Sequence, residues 1–170
     1  MKLSVPFLPD PGFAHGLKEH IRWIESIYFE LETGPVLDAR MRLGTGKANQ
    51  AAAMLDRLGP VKKYLLLNTR FIAPSRYGDS AFLSRLKDHL DRLVHASGLT
   101  GFVFCDAYLL TALAKSMPPE LTCRLEAVPG VNCIIDSPER ATAFLDLTQG
   151  LGFARPSRII LDRNLNRQPK

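Results

Sequence analysis

Along most of this chain a short apolar run, a cluster of turn residues and a longer amphipathic segment follow one another in that order. The hydrophobic period switches from that of a strand to that of a helix and back, which is the pattern of βαβ units. The short runs are Leu3 to Pro6, Ser26 to Glu30, Tyr64 to Thr69, Gly101 to Cys105, Thr122 to Val128 and Arg158 to Leu161, six candidate strands. Parallel strands need a covering crossover, and such crossovers are right-handed, so the alternation points to a parallel sheet. The fold class read here is α/β: a parallel (β/α) TIM-type barrel with six units, in a single domain over residues 1–170. A full barrel of eight units usually takes about 250 residues. Six units in 170 residues therefore make an incomplete barrel or the leading part of a longer one.

The intervening segments carry helix signals. Asp79 or Ser80 can cap a helix whose apolar face holds Phe82, Leu83, Leu86, Leu90, Leu93 and Val94. Ser137, Pro138 and Glu139 supply a cap, a proline at the first helical position and an early acid, and Gly150 and Gly152 close that helix. Further helices are expected over Lys47 to Leu58, Tyr108 to Lys115 and Gly16 to Trp23.

Composition bounds the function classes. With 46% hydrophobic and 23% charged residues the chain suits a globular domain. Its longest apolar runs fall far short of the roughly 20 residues of a membrane span. The N-terminus, with Lys2, Pro6, Pro9 and Pro11, lacks the pattern of a secretory signal, so a cytoplasmic protein is expected. Three cysteines, Cys105, Cys123 and Cys133, read as reduced thiols in apolar surroundings and match no zinc or iron–sulfur spacing. The four histidines show no helical ligand pair, so no metal site is expected. A formal charge of +5 favours polyanions, RNA among them, but the basic residues are dispersed except at Lys62, Lys63 and the Arg-rich end.

In a parallel α/β fold ligands lie beyond the C-terminal ends of the strands. The polar residues that follow the apolar runs are Glu30, Asn68 with Arg70, Asp106, Glu126 with Asn132, and Asp162 with Arg163. These would converge on one rim. Asp106 and Asp162, or Glu30 with either, could supply an acid and a base, since neighbouring carboxylates shift one another's pKa. The rival reading is that Asp162 and Arg163 make structural pairs or cap the next turn. Gly44-Thr45-Gly46-Lys47, ahead of a helix, resembles a phosphate cradle without the spacing of a P-loop.

The ordered fragments resemble the collagenase-like peptidase family, whose members include proteins of anaerobic ubiquinone hydroxylation and of RNA hydroxylation. Ile27-Tyr28-Phe29 resembles its second strand, and Ala39-Arg40 its alanine-arginine pair. Tyr64 to Asn68 with Thr69 resembles its third strand, and Phe102 to Asp106 with Leu109-Leu110 and Ala114-Lys115 its strand ending in aspartate. Gly130 to Ser137 stands where the family has serine-threonine-glutamine, with Asn132 opposite the glutamine. Ile159 to Asn166 resembles its leucine-x-arginine-glutamate-leucine segment; Arg163 matches, and Asn164 replaces the glutamate.

The resemblance implies a barrel acting at its C-terminal rim, with Asn68, Asp106 and Arg163 at the site and Arg40 beside it. Asp106, Asp162 and Arg163 are the expected catalytic group; Glu30, Arg40, Asn68, Arg70, Glu126 and Asn132 are the expected substrate contacts. The family's iron–sulfur cysteines lie beyond the matched region, so no cofactor is expected in this chain. Peptide hydrolysis or a hydroxylation role follows from the resemblance. Two alternatives stand beside it: a non-catalytic barrel subunit that forms a homo-oligomer or is completed by a partner, and a phosphate-binding barrel enzyme.

Overall fold

A computed structural model describes residues 2–30, 48–69 and 71–167. Five parallel strands lie in the order in which the chain makes them: β1 (Leu3–Pro6), β2 (Ile24–Phe29), β3 (Lys62–Leu67), β4 (Gly101–Phe104) and β5 (Glu126–Pro129). Each pairs only with its neighbours in sequence, as in a barrel rather than a doubly wound sheet. The sheet is not closed among the described residues.

The covering helices start where local chemistry starts them. Asp10 accepts the Phe13 N–H at 2.8 Å ahead of Pro11, which opens α1 (Pro11–Glu19) earlier than the expected Gly16. The second helix, α2, runs over Ala48–Asp56. Asp79 caps α3 (Ser80–Ser97) through the Phe82 N–H at 2.9 Å, and Gly98 ends it at φ 66°, a left-handed cap that glycine adopts without strain. The remaining helices are α4 (Ala107–Ser116), the short α5 (Pro119–Thr122) and α6 (Pro138–Gly150), the last capped by Ser137 through the Arg140 N–H.

Strand alternation sorts the side chains into two cores. Ile27, Phe29, Leu65, Leu67, Phe102 and Phe104 face the helices and pack with Leu55, Phe82, Leu86, Leu90, Leu109 and Leu113. The other face carries a smaller cluster of Tyr64, Leu66, Val103 and Val128, with Tyr28 and Ile160 against it. At the strand starts this second face turns polar: Ser4 and Ser26 hydroxyls lie 2.8 Å apart.

That face is concave. In a flat sheet β1 and β5 would stand about 19 Å apart at the usual strand spacing. Yet Arg158, two residues before Ile160 whose N–H bonds Pro129 O beside β5, reaches Ser4 Oγ on β1 at 3.1 Å and Ser26 Oγ on β2 at 2.5 Å. Its guanidinium lies 5.0 Å from the centre of the Tyr64 ring on β3. The sheet must curl for one side chain to touch three of its strands.

Two expectations are corrected. Arg158 to Leu161 is not a sixth strand. The segment touches β5 by one bridge, Ala154 to Glu126, and by the Ile160 N–H. Between these contacts Pro156 has no N–H to offer, and Ser157 and Arg158 turn their polar groups onto the concave face. The run from Thr122 to Val128 likewise begins as α5 and a turn, so its strand starts only at Glu126. Among the described residues five strands replace the six expected. No helix among the described residues is long and apolar enough to cross a membrane.

Candidate functional site

The C-terminal ends of β3, β4 and β5 are stitched together by side-chain to backbone bonds. Asn68 follows β3, and its carbonyl accepts Asn132 Nδ2 at 3.1 Å from the 3-10 turn Val131–Cys133 beyond β5. Thr69 O accepts the Cys105 thiol at 2.7 Å from the end of β4. Ile134 takes φ 52°, a left-handed conformation that costs a β-branched residue energy and turns the chain back over the rim. Beside these ends lies a cavity of about 380 Å³ lined by Cys105, Asn132, Ile134, Asp162, Arg163 and Asn164.

Three of the expected site residues, Asn132, Asp162 and Arg163, therefore meet at one cavity. Asn68 supports it from behind. Glu30 follows β2 as expected, half-buried and outside the cavity lining. Arg40 and Arg70 lie outside the described residues, as do Gly44 to Lys47.

Asp106 takes a different post. Oδ1 caps α4 by accepting the Tyr108 and Leu109 N–H groups at 2.9 and 3.0 Å, and Oδ2 accepts the Tyr77 hydroxyl at 2.6 Å. The hydrogen bond to Asp106 is the main cause that pushes the Tyr77 phenol up to about 12, with burial second. Both oxygens are engaged by the protein, and Asp106 does not line the cavity. In this structure it holds α4 and the Tyr77 loop in place.

Glu126 is corrected more strongly. As the first residue of β5 it stands at the opposite end of the sheet from the cavity. There it accepts Tyr64 Oη at 2.8 Å and the Ser157 N–H at 3.0 Å, with Lys62 Nζ at 3.5 Å. Burial pushes its carboxyl up, but the bonds from Ser157 and Tyr64 and the Lys62 charge outweigh burial and hold it below the ordinary value. The cluster is a structural polar floor to the concave face.

Cys105, Ile134 and Asn164 line the cavity without having been singled out as contacts. The signal was available in part, since Cys105 directly follows a strand. Exposed apolar side chains also crowd this rim: Phe71 after β3 is 90% exposed, and Tyr108 after β4 is 77% exposed. The cysteines do not assemble into a ligand set. Cys105 and Cys133 bond carbonyls near the rim, whereas Cys123 is exposed and bonds Glu120 O beside α5. Burial pushes the Cys133 thiol up to about 12, away from a thiolate. Among the described residues no three His, Cys, Asp or Glu side chains are grouped to hold a metal ion.

No protein-family model matches the chain, and no curated protein sequence does. A solved structure does. The structure of the U32 peptidase Mk0906 superposes with a TM-score of 0.64 at 18% identity. The match covers 98% of this chain and 60% of that one, so this chain spans less than two thirds of that protein's length. Open parallel sheet, chain-order strands and rim cavity together thus belong to a chain with the fold found in the U32 peptidase Mk0906.

Proposed function

We propose that this chain is a relative of the collagenase-like peptidases and binds a peptide in the cavity beyond β4 and β5. The observation that carries the reading is the cavity itself. It lies at the end of the sheet where parallel α/β folds place their ligands, and it brings a carboxylate, a guanidinium and two carboxamides to one space. Its volume of about 380 Å³ is suited to a few residues of extended chain. The fold likeness to a protein named as a peptidase supports a peptide over other ligands. Asp162 and Arg163 hold the ligand, Asn132 sets the cavity wall, and Asp106 acts through α4 as a positioning residue.

The test is a titration of ¹⁵N-labelled protein with a pool of short peptides. Shifts are expected at Asn132, Ile134 and Asn164, with weaker binding to Arg163→Ala and Asn132→Ala. Peptides that shift no cavity residue, or that bind both variants as tightly as the parent, would show the reading to be wrong.

The open edge favours a second reading, a barrel subunit that a partner completes. Among the described residues β1 pairs on one side only, and Leu3 and the nearby Trp23 are 48% and 52% exposed. Exposed edges invite another strand. Measuring the mass in solution separates the readings: a well-folded, strictly monomeric chain at high concentration would argue against assembly with itself.

A further inference from the structure

The cavity holds one carboxylate that the protein leaves half used. Asp162 is only 8% exposed, yet no Lys, Arg or His side chain among the described residues forms an ion pair with it. Oδ1 accepts the Asn164 N–H at 2.7 Å. Oδ2 receives no bond from any described residue, and it is not sealed off, since Arg158 Nε is the only buried side-chain atom found without a partner among them. Asp162 is one of the residues that line the cavity.

The backbone fixes the carboxylate in this position. The Asp162 N–H donates to Ile135 O at 2.8 Å, and its carbonyl accepts the Leu165 N–H at 3.2 Å. A carboxylate largely out of water with one oxygen unbonded and no ion-pair partner can gain a charge-assisted bond from a ligand that brings positive charge. The next residue, Arg163, is exposed to the same cavity and forms no ion pair among the described residues. A negative and a positive group side by side match the first residue of a peptide, whose ammonium and first carbonyl lie a few atoms apart.

We propose that Asp162 receives the protonated α-amino group of a peptide, so that the cavity takes the N-terminal end of a chain rather than its interior. The proposal rests on the reading of the cavity as a peptide site. The backbone of an interior segment has no cation to offer Asp162, so the test peptides carry no Lys or Arg side chain that could stand in for the α-amino group.

Two tetrapeptides of one sequence, with free and with acetylated N-termini, test it by calorimetric titration at pH 6.5, where the free amine is protonated. The parent protein is expected to bind the free peptide about tenfold or more tightly than the acetylated one, as a charge-assisted bond of this kind supplies. Asp162→Asn keeps an oxygen for the Asn164 N–H and removes only the charge, so it should melt near the parent and bind both peptides alike. Equal binding of the two peptides by the parent overturns the proposal while leaving the cavity a peptide site. A preference that survives in Asp162→Asn overturns it too. If neither peptide binds the parent, the peptide reading and this proposal fall together. The parent comparison decides even if Asp162→Asn proves unstable.

Discussion

Arg158 donates through Nη1 to Ser4 Oγ at 3.1 Å and so ties the segment after β5 to the first strand of the sheet. The same guanidinium bonds Ser26 and lies over Tyr64, with Glu25 at 3.6 Å. Arg158→Ala removes all of these at once, and a loss of about 1.5–3 kcal/mol is expected, the range for bonds made by charged groups. Arg158→Lys should recover less than half, because a point charge cannot reach two hydroxyls and lie flat on a ring. Urea denaturation measures both. Unchanged midpoints would show that the arginine does not brace the curl.

Glu126 predicts an acid limb in the stability curve. Its carboxyl is held below 4.5 in the folded protein, so the unfolded chain binds its proton first as pH falls. Stability from this group is present in full above about 4.5 and is lost as pH falls through the lower folded value. Glu126→Gln should flatten that limb and cost stability at pH 7. Thermal melts from pH 7 to 3 check it; parallel curves for parent and variant would refute the assignment.

His89, buried on α3, predicts a second pH effect at a higher range. Burial, helped by the Arg92 charge, pushes its imidazole down to about 4. Between 6.5 and 4 the unfolded chain takes up a proton that the folded protein refuses, so stability falls as pH drops through that window. The full effect is about 3 kcal/mol at most. His89→Leu is expected to remove this slope while leaving the Glu126 limb, and denaturation midpoints at pH 7, 6 and 5 would show it.

Gly101 opens β4 directly beside the backbone of Glu126, and a Cβ there would run into the Glu126 carbonyl. A backbone atom cannot swing aside as a side chain does. Gly101→Ala should therefore force β5 away from β4 and cost about 2–3 kcal/mol or more, at the upper end for overpacked sites. A melting temperature within error of the parent would mean that the strands part without strain.

The helices were the most legible part of the sequence, because their caps are local. Asp79, Ser137 with Pro138, and the apolar face of α3 stand where the pattern put them. Strand ends were less so. Thr122 to Val128 mixes apolar Leu125, Ala127 and Val128 with Arg124 and Glu126, and in so short a stretch the end of a helical turn such as α5 is hard to tell from the start of a strand by hydrophobicity alone. That ambiguity placed Glu126 at the wrong end of the sheet. Asn132, Asp162 and Arg163 were legible as a group because they follow apolar runs that do reach the rim. The Asp106 cap on α4 is local, but the engagement of its second oxygen by Tyr77, 29 residues away, is something no local pattern reports.

The agreement between strand order and chain order has a consequence for how the molecule is made. Each strand after β1 pairs with one synthesised before it. Each pairing joins neighbouring strands, as Tyr64 with Gly101, rather than the far ends of the sheet. The contact that must wait is the one between Arg158 and Ser4, 154 residues apart. Until it forms, a nascent sheet can have these strands in register without the tie across its concave face.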